Sequence, residues 1–210
     1  MGSDTKSRIL EGARDLFLEE GADAVTMRVV AGRVGLTAMA IYRHFENRDE
    51  LFRAVVAKGH ALFLQYLQCS LSCDTPGERL LESGRAYLRF ALENPRDYAV
   101  IFMEPRDPST SEEPGSPLWQ DAATFRFLVE RIEECTRAGV IHVDDAEDAA
   151  LTVWAQVHGL VSLFLANKLQ LDAQAFETLY ERSLNRLMSA FSADAPKSRP
   201  PVHTGKRKPS

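Results

Sequence analysis

Cysteine is scarce in this chain, with three among 210 residues, at positions 69, 73 and 135. Three thiols without a paired framework exclude a disulfide-stapled scaffold and point to a reducing cytoplasm. Cys135 then reads as a small buried residue, and Cys69 and Cys73, one helical turn apart, as two reduced thiols near a helix end or a redox-sensing pair. Long apolar runs are lacking too. The longest, residues 151–166, is broken by Gln156 and His158 and falls short of a membrane span, and no charged-then-apolar segment opens the chain as a signal peptide would. Catalytic signatures are missing: there is no Gly-x-Ser-x-Gly elbow, phosphate loop or His-Glu-x-x-His, and the five histidines (44, 60, 142, 158, 203) lie far apart. No enzyme activity, metal site or cofactor is expected. A strong excess of positive charge is absent as well. The net charge of −5 argues against a nonspecific nucleic-acid coat.

Against these absences stands one dense stretch, residues 26–45, TMRVVAGRVGLTAMAIYRHF. Thr26 can cap a short helix in which Val29, Val30 and Val34 recur at helical spacing, and Gly35, free to take positive φ, ends it. Thr37 is a second cap, and Met39 to Phe45 reads as another short helix with Ile41 and Phe45 turned inward. Two short helices meeting at a glycine-containing turn form a helix-turn-helix, whose second helix is of a size to enter the DNA major groove. From Thr26 to Arg53 five arginines (28, 33, 43, 48, 53) face three acids (Glu46, Asp49, Glu50), a basic face on an acidic body.

The run T-x-R-x-V-A-x-x-x-G-L-T-x-x-A-I-Y-R-H-F-x-N-R-x-E-L-F, residues 26–52, resembles the DNA-binding domain of TetR-type (TetR/AcrR family) transcriptional repressors. The resemblance implies an all-α fold. A three-helix DNA-binding head (1–48) would be joined by a long helix to a six-helix-type ligand-binding and dimerisation domain (49–192), with 193–210 a disordered basic tail. By resemblance and geometry, Thr26, Tyr42, His44 and Arg48 would hold phosphates. Arg28, Thr37, Met39, Ala40 and Arg43 would face base edges, Met39 or Ala40 meeting a thymine methyl.

Around this stretch the rest of the chain reads as helices. Residues 4–20 form an amphipathic helix whose Ile9, Leu10, Ala13, Leu16 and Phe17 cover the helix-turn-helix from behind. Asn47-Arg48-Asp49-Glu50 has the form of a capping box opening a long helix to about Ser70, and Thr75-Pro76-Gly77-Glu78 opens another that Asn94-Pro95 closes. A shorter helix runs on through Tyr98 and Phe102, a proline-rich loop covers 105–117, and a helix over 118–137 ends at Gly139. Asp144-Asp145 begin an apolar helix over 149–169, and Asp172 caps a last one with an apolar stripe from Phe176 to Phe191. Those two apolar faces need cover that a second copy of the chain would provide, through Val161, Leu165, Phe176, Tyr180, Leu184 and Leu187.

Trp154, His158 and Gly159 lie on successive turns, and Trp-x-x-x-His-Gly resembles the WHG-like signature of one class of TetR-type ligand domains. Trp154 and His158 share a face, either as a packed core pair with the histidine hydrogen-bonded or in direct ligand contact, while Gly159 lets another helix approach closely. The many aromatics of the middle helices (Phe63, Tyr66, Tyr87, Phe90, Phe102, Phe125, Phe127) suit a mostly apolar pocket, with Tyr66, Tyr87, Gln156 and His158 as polar anchors. The expected function is a homodimeric repressor on a near-palindromic double-stranded DNA operator, released by a small apolar or aromatic effector. The rival reading is a helical interaction module without specific DNA binding.

Overall fold

The computed structural model describes residues 2–103 and 123–192, and every regular element in them is helical. The expected loop at 105–117 and tail at 193–210 lie outside the described residues. In order the helices are α1 (Gly2–Glu20), α2 (Met27–Arg33), α3 (Ala38–Tyr42), α4 (Arg48–Gln68), α5 (Pro76–Glu93) and α6 (Pro95–Tyr98). Helix α6 runs straight into a π-helical turn, Ala99–Met103, and α7 (Ala123–Arg137), α8 (Ala146–Leu165) and α9 (Ala173–Ser192) follow.

Local chemistry sets the boundaries. Thr26 Oγ1 accepts from the Val29 amide (3.3 Å) and Thr37 Oγ1 from the Ala40 amide (3.2 Å), so both short helices carry hydroxyl caps. Gly35 takes φ 68°. Around it Leu36 N–H bonds Ala31 O (2.9 Å) and Gly35 N–H bonds Gly32 O (3.3 Å), the paired bonds of a Schellman closure, which a Cβ in that conformation would strain. Asn47 Oδ1 accepts from the Glu50 amide (2.8 Å), but the Glu50 carboxylate reaches one residue further than expected, to the Glu46 amide. At Thr75 both halves of the capping box form.

The head buries Ile9, Leu10, Ala13, Leu16 and Phe17 of α1 against Val30, Ile41, Phe45 and Leu51. Each of these side chains other than Ala13 contributes roughly 1.5–3 kcal/mol of burial. Of the valines that recur at helical spacing, Val29 is 44% exposed, because Val30 occupies the inward position and consecutive helical residues diverge by about 100°. The head core also takes in Val55 of α4 and Val100 of the π-helical turn, while the body core begins at Phe63.

The body packs α5 against α4, α7, α8 and α9. Cys135 is fully buried, its thiol donating to Pro76 O (3.1 Å), and burial pushes its pKa up to about 11. Cys69 is exposed and Cys73 half-buried, and both are free thiols. Helix α8 ends at Leu165, four residues before the sequence suggests, where Asn167 turns to φ 55°. Among the described residues it is the one helix with the length and apolar content of a membrane span, since Gln156 and His158 interrupt the run without adding formal charge.

The stripe on α9 corrects the expected dimer face. Phe176 and Tyr180 are fully buried and Leu184 nearly so, all within this chain's own core, as is Val161 of α8. Leu187 is half-buried and Leu165 is exposed. Apolar spacing reports that a face is covered, and here most of the cover comes from α5 and α8. Nor does any other described helix come within 4 Å of a Cβ built on Gly159, so among the described residues none exploits it.

Candidate nucleic-acid interface and ligand cavity

Helix α3 buries only Ile41 and turns Met39 (74% exposed) and Tyr42 (52%) to solvent. Thr26, Arg28, Thr37, Arg43 and Arg48 are exposed beside them, with Ala40 and His44 partly so. The arginines differ in what they already hold. Arg33 is spent on Glu19 (2.6 Å), whereas Arg28 and Arg43 make no ion pair or side-chain hydrogen bond among the described residues. Arg48 Nε donates to Val25 O (2.9 Å), fixing the base of its guanidinium at the entry to α2. Two further basic groups support the edge: Arg8 Nη2 donates to Val34 O (2.8 Å), and Lys6 Nζ sits 5.3 Å from the centre of the Phe45 ring.

The body encloses a cavity of about 330 Å³ between α4, α5, α7, α8, α9 and the π-helical turn. Seven expected residues line it: Phe63, Tyr87, Phe102, Phe125, Phe127, Trp154 and His158. Two do not. On α4 it is Leu67, four positions from Phe63, that shares the cavity face, while Tyr66 donates to Glu93 and accepts from Asn94 Nδ2 (3.0 Å). Phe90 is fully buried behind Phe63, ring centres 4.8 Å apart. Gln156 is no anchor either, its amide donating to Ser183 of α9. Sequence reasoning missed His60, Leu80, Thr124, Leu184, Met188 and Phe191 as lining residues; those of α9 belong to the stripe whose spacing suggests a partner.

At one end of the cavity His158 combines both alternatives, hydrogen-bonded and facing the space. The hydroxyls of Tyr87 and Tyr98 each lie 3.0 Å from its Nδ1, and Ser162 Oγ lies 3.3 Å from its Nε2 and 3.0 Å from the Tyr98 hydroxyl. Burial pushes the Tyr87 phenol well above its usual range and pulls His158 below its own, so the cluster is held neutral. Tyr98 carried no sequence signal of this role beyond its place in the short helix.

That short helix and the π-helical turn after it touch both the head and the cavity. Asp97 Oδ2 accepts from Arg14 Nη1 of α1 (2.9 Å), and Arg96 pairs with Asp15 (3.1 Å). Val100 lies in the head core, Ile101 and Phe102 line the cavity, and Tyr98 bonds His158. Lys58 of α4 also pairs with Glu11 of α1 (2.9 Å).

On the outer side of α8, Leu151, Leu163 (45%) and Leu165 are exposed together with Thr152 and Ala155. Only 28% of its most apolar window is buried within the chain.

The chain is 30% identical over 104 residues to the HTH-type transcriptional repressor Rv3405c of Mycobacterium tuberculosis, covering 50% of this chain and 54% of that protein. It is 23% identical over 103 residues to the regulator Rv1816 of the same species, covering 48% and 44%. The chain thus spans about half the length of the curated relatives it matches. Its fold is shared with the TetR family regulator PfmR of Thermus thermophilus (TM-score 0.66, 20% identity, 87% of this chain and 97% of that one). A Rhodococcus sp. RHA1 protein of unknown function also superposes (TM-score 0.71, 21% identity, 89% and 95%). Residues 9–55 match the bacterial regulatory proteins of the tetR family and residues 80–187 the tetracyclin repressor-like C-terminal domain, so the chain belongs to the TetR family.

Proposed function

We propose that this protein is a cytoplasmic transcription repressor that binds a near-palindromic operator as a homodimer and is released by a small apolar or aromatic effector held in the cavity. One turn of helix supports this most directly. Residues 97–102 hold the head through Asp97–Arg14 and Val100, and wall the cavity through Ile101 and Phe102. An occupant that displaces Phe102 therefore acts on the element that sets the angle of α1 and α4. For release, the effector must bind the tilted state better, and a coupling of ~1–3 kcal/mol yields about 5- to 150-fold weaker operator binding. The exposed leucines of α8 and the open space at Gly159 favour a second copy at that face. Two recognition helices must then lie ~34 Å apart, or a multiple of it, to enter successive grooves.

The test is a gel shift with DNA from upstream of the gene, across a salt series. Arg48→Ala should weaken all sequences alike and flatten the salt dependence, because its contact is to phosphate. Arg43→Ala and Arg28→Ala should relax specificity at roughly 1–3 kcal/mol per lost base contact. No preference for the upstream DNA over scrambled sequence would favour the interaction-module reading.

A further inference from the structure

On the reading of the cavity as the effector site, we infer that it selects an uncharged, largely aromatic molecule bearing one hydroxyl or carbonyl group, docked at the Tyr87–His158 end. The described lining residues include no Asp, Glu, Lys or Arg. An ion entering would lose its hydration against Phe63, Phe102, Phe125 and Trp154, and the described lining offers no carboxylate, ammonium or guanidinium group to meet it, so ionised ligands are disfavoured. At ~30 Å³ per water, an occupant filling the 330 Å³ would displace on the order of ten water molecules, and their release from aromatic walls drives binding of an apolar body.

The polar end fixes the second half of the specificity. Tyr87, Tyr98, Ser162 and His158 are joined by contacts of 3.0–3.3 Å, and each of these groups can donate or accept. A hydroxyl or a carbonyl can therefore enter by reorienting protons along the chain, without leaving a buried group unsatisfied. A ligand with no polar atom would leave the network as it stands and gain nothing from it. A carboxylate docked at this end would require His158 to be protonated where burial opposes that.

The full chain is titrated with four probes on one skeleton, 4-hydroxybiphenyl, 4-methylbiphenyl, biphenyl-4-carboxylate and 4-(aminomethyl)biphenyl, by thermal shift and calorimetry. The phenol should bind about 10-fold more tightly than the methyl isostere and at least ~100-fold more tightly than either ion. In Tyr87→Phe and in His158→Gln the preference for phenol over methyl should fall towards unity, while the ions stay weak. The tyrosine variant keeps the ring and so serves even if the histidine variant folds poorly. Carboxylate or amine within 10-fold of the phenol would overturn the exclusion of charge. An unchanged phenol preference in both variants would overturn the docking end. No response to any probe would instead sink the effector-site reading beneath it.

Discussion

Replacing Gly59 by alanine should destabilise this protein even though glycine is a poor residue for the middle of a helix. Gly59 is buried on the face of α4 that meets the π-helical turn, and a Cβ built there lies 2.8 Å from Ile101 Cγ2. Carbon atoms settle at about 3.5–4.0 Å, so the isoleucine methyl must retreat by roughly 1 Å. Overpacking of this kind costs about 1–3 kcal/mol, against about 1 kcal/mol returned by helix propensity, for a net loss of ~0–2 kcal/mol. The sign should reverse once the clashing methyl is gone. In an Ile101→Ala background, Gly59→Ala should stabilise by about 1 kcal/mol, giving a coupling of ~1–3 kcal/mol in the double-mutant cycle. Urea unfolding of the four proteins, with the slope unchanged, measures all three terms. Equal stabilisation by Gly59→Ala in both backgrounds would refute the close approach of α4 to the turn.

Burial holds His158 below its usual pKa near 6.5, so the unfolded chain binds its proton more readily than the folded one. The stability this gives is complete above pH 6.5 and is lost as pH falls towards the folded-state value; His158→Gln should flatten that part of the pH–stability curve, and an unchanged slope would assign it to other groups. Gly159→Trp and Leu163→Glu, on the open face of α8, should yield monomers by light scattering and lose operator binding, whereas charges at Phe176 or Tyr180 should unfold the chain. Wild-type protein with the mass of one chain at micromolar concentration would rule out the dimer.

The local signals were legible because each is satisfied within a few residues. Thr26, Thr37, Asn47 and Thr75 cap the helices that follow them, and Gly35 supplies the left-handed turn, whatever the rest of the chain does. The helix-turn-helix and the all-helical layout therefore stood in the sequence. The partners of apolar faces did not. The stripe through Phe176, Tyr180 and Leu184 has the same spacing whether α5 or a second copy covers it, and only the packing of α9 onto its own body decides. The cavity is of the same kind, since Phe63 lines it and Tyr66 does not by a difference of rotation along one helix. His158 owes its neutral state to burial and one of its hydrogen bonds to Tyr98, sixty positions earlier and brought to 3.0 Å by the turn of chain at Pro95. Sequence spacing fixes direction within a helix, whereas which helices meet depends on the joint packing of all of them.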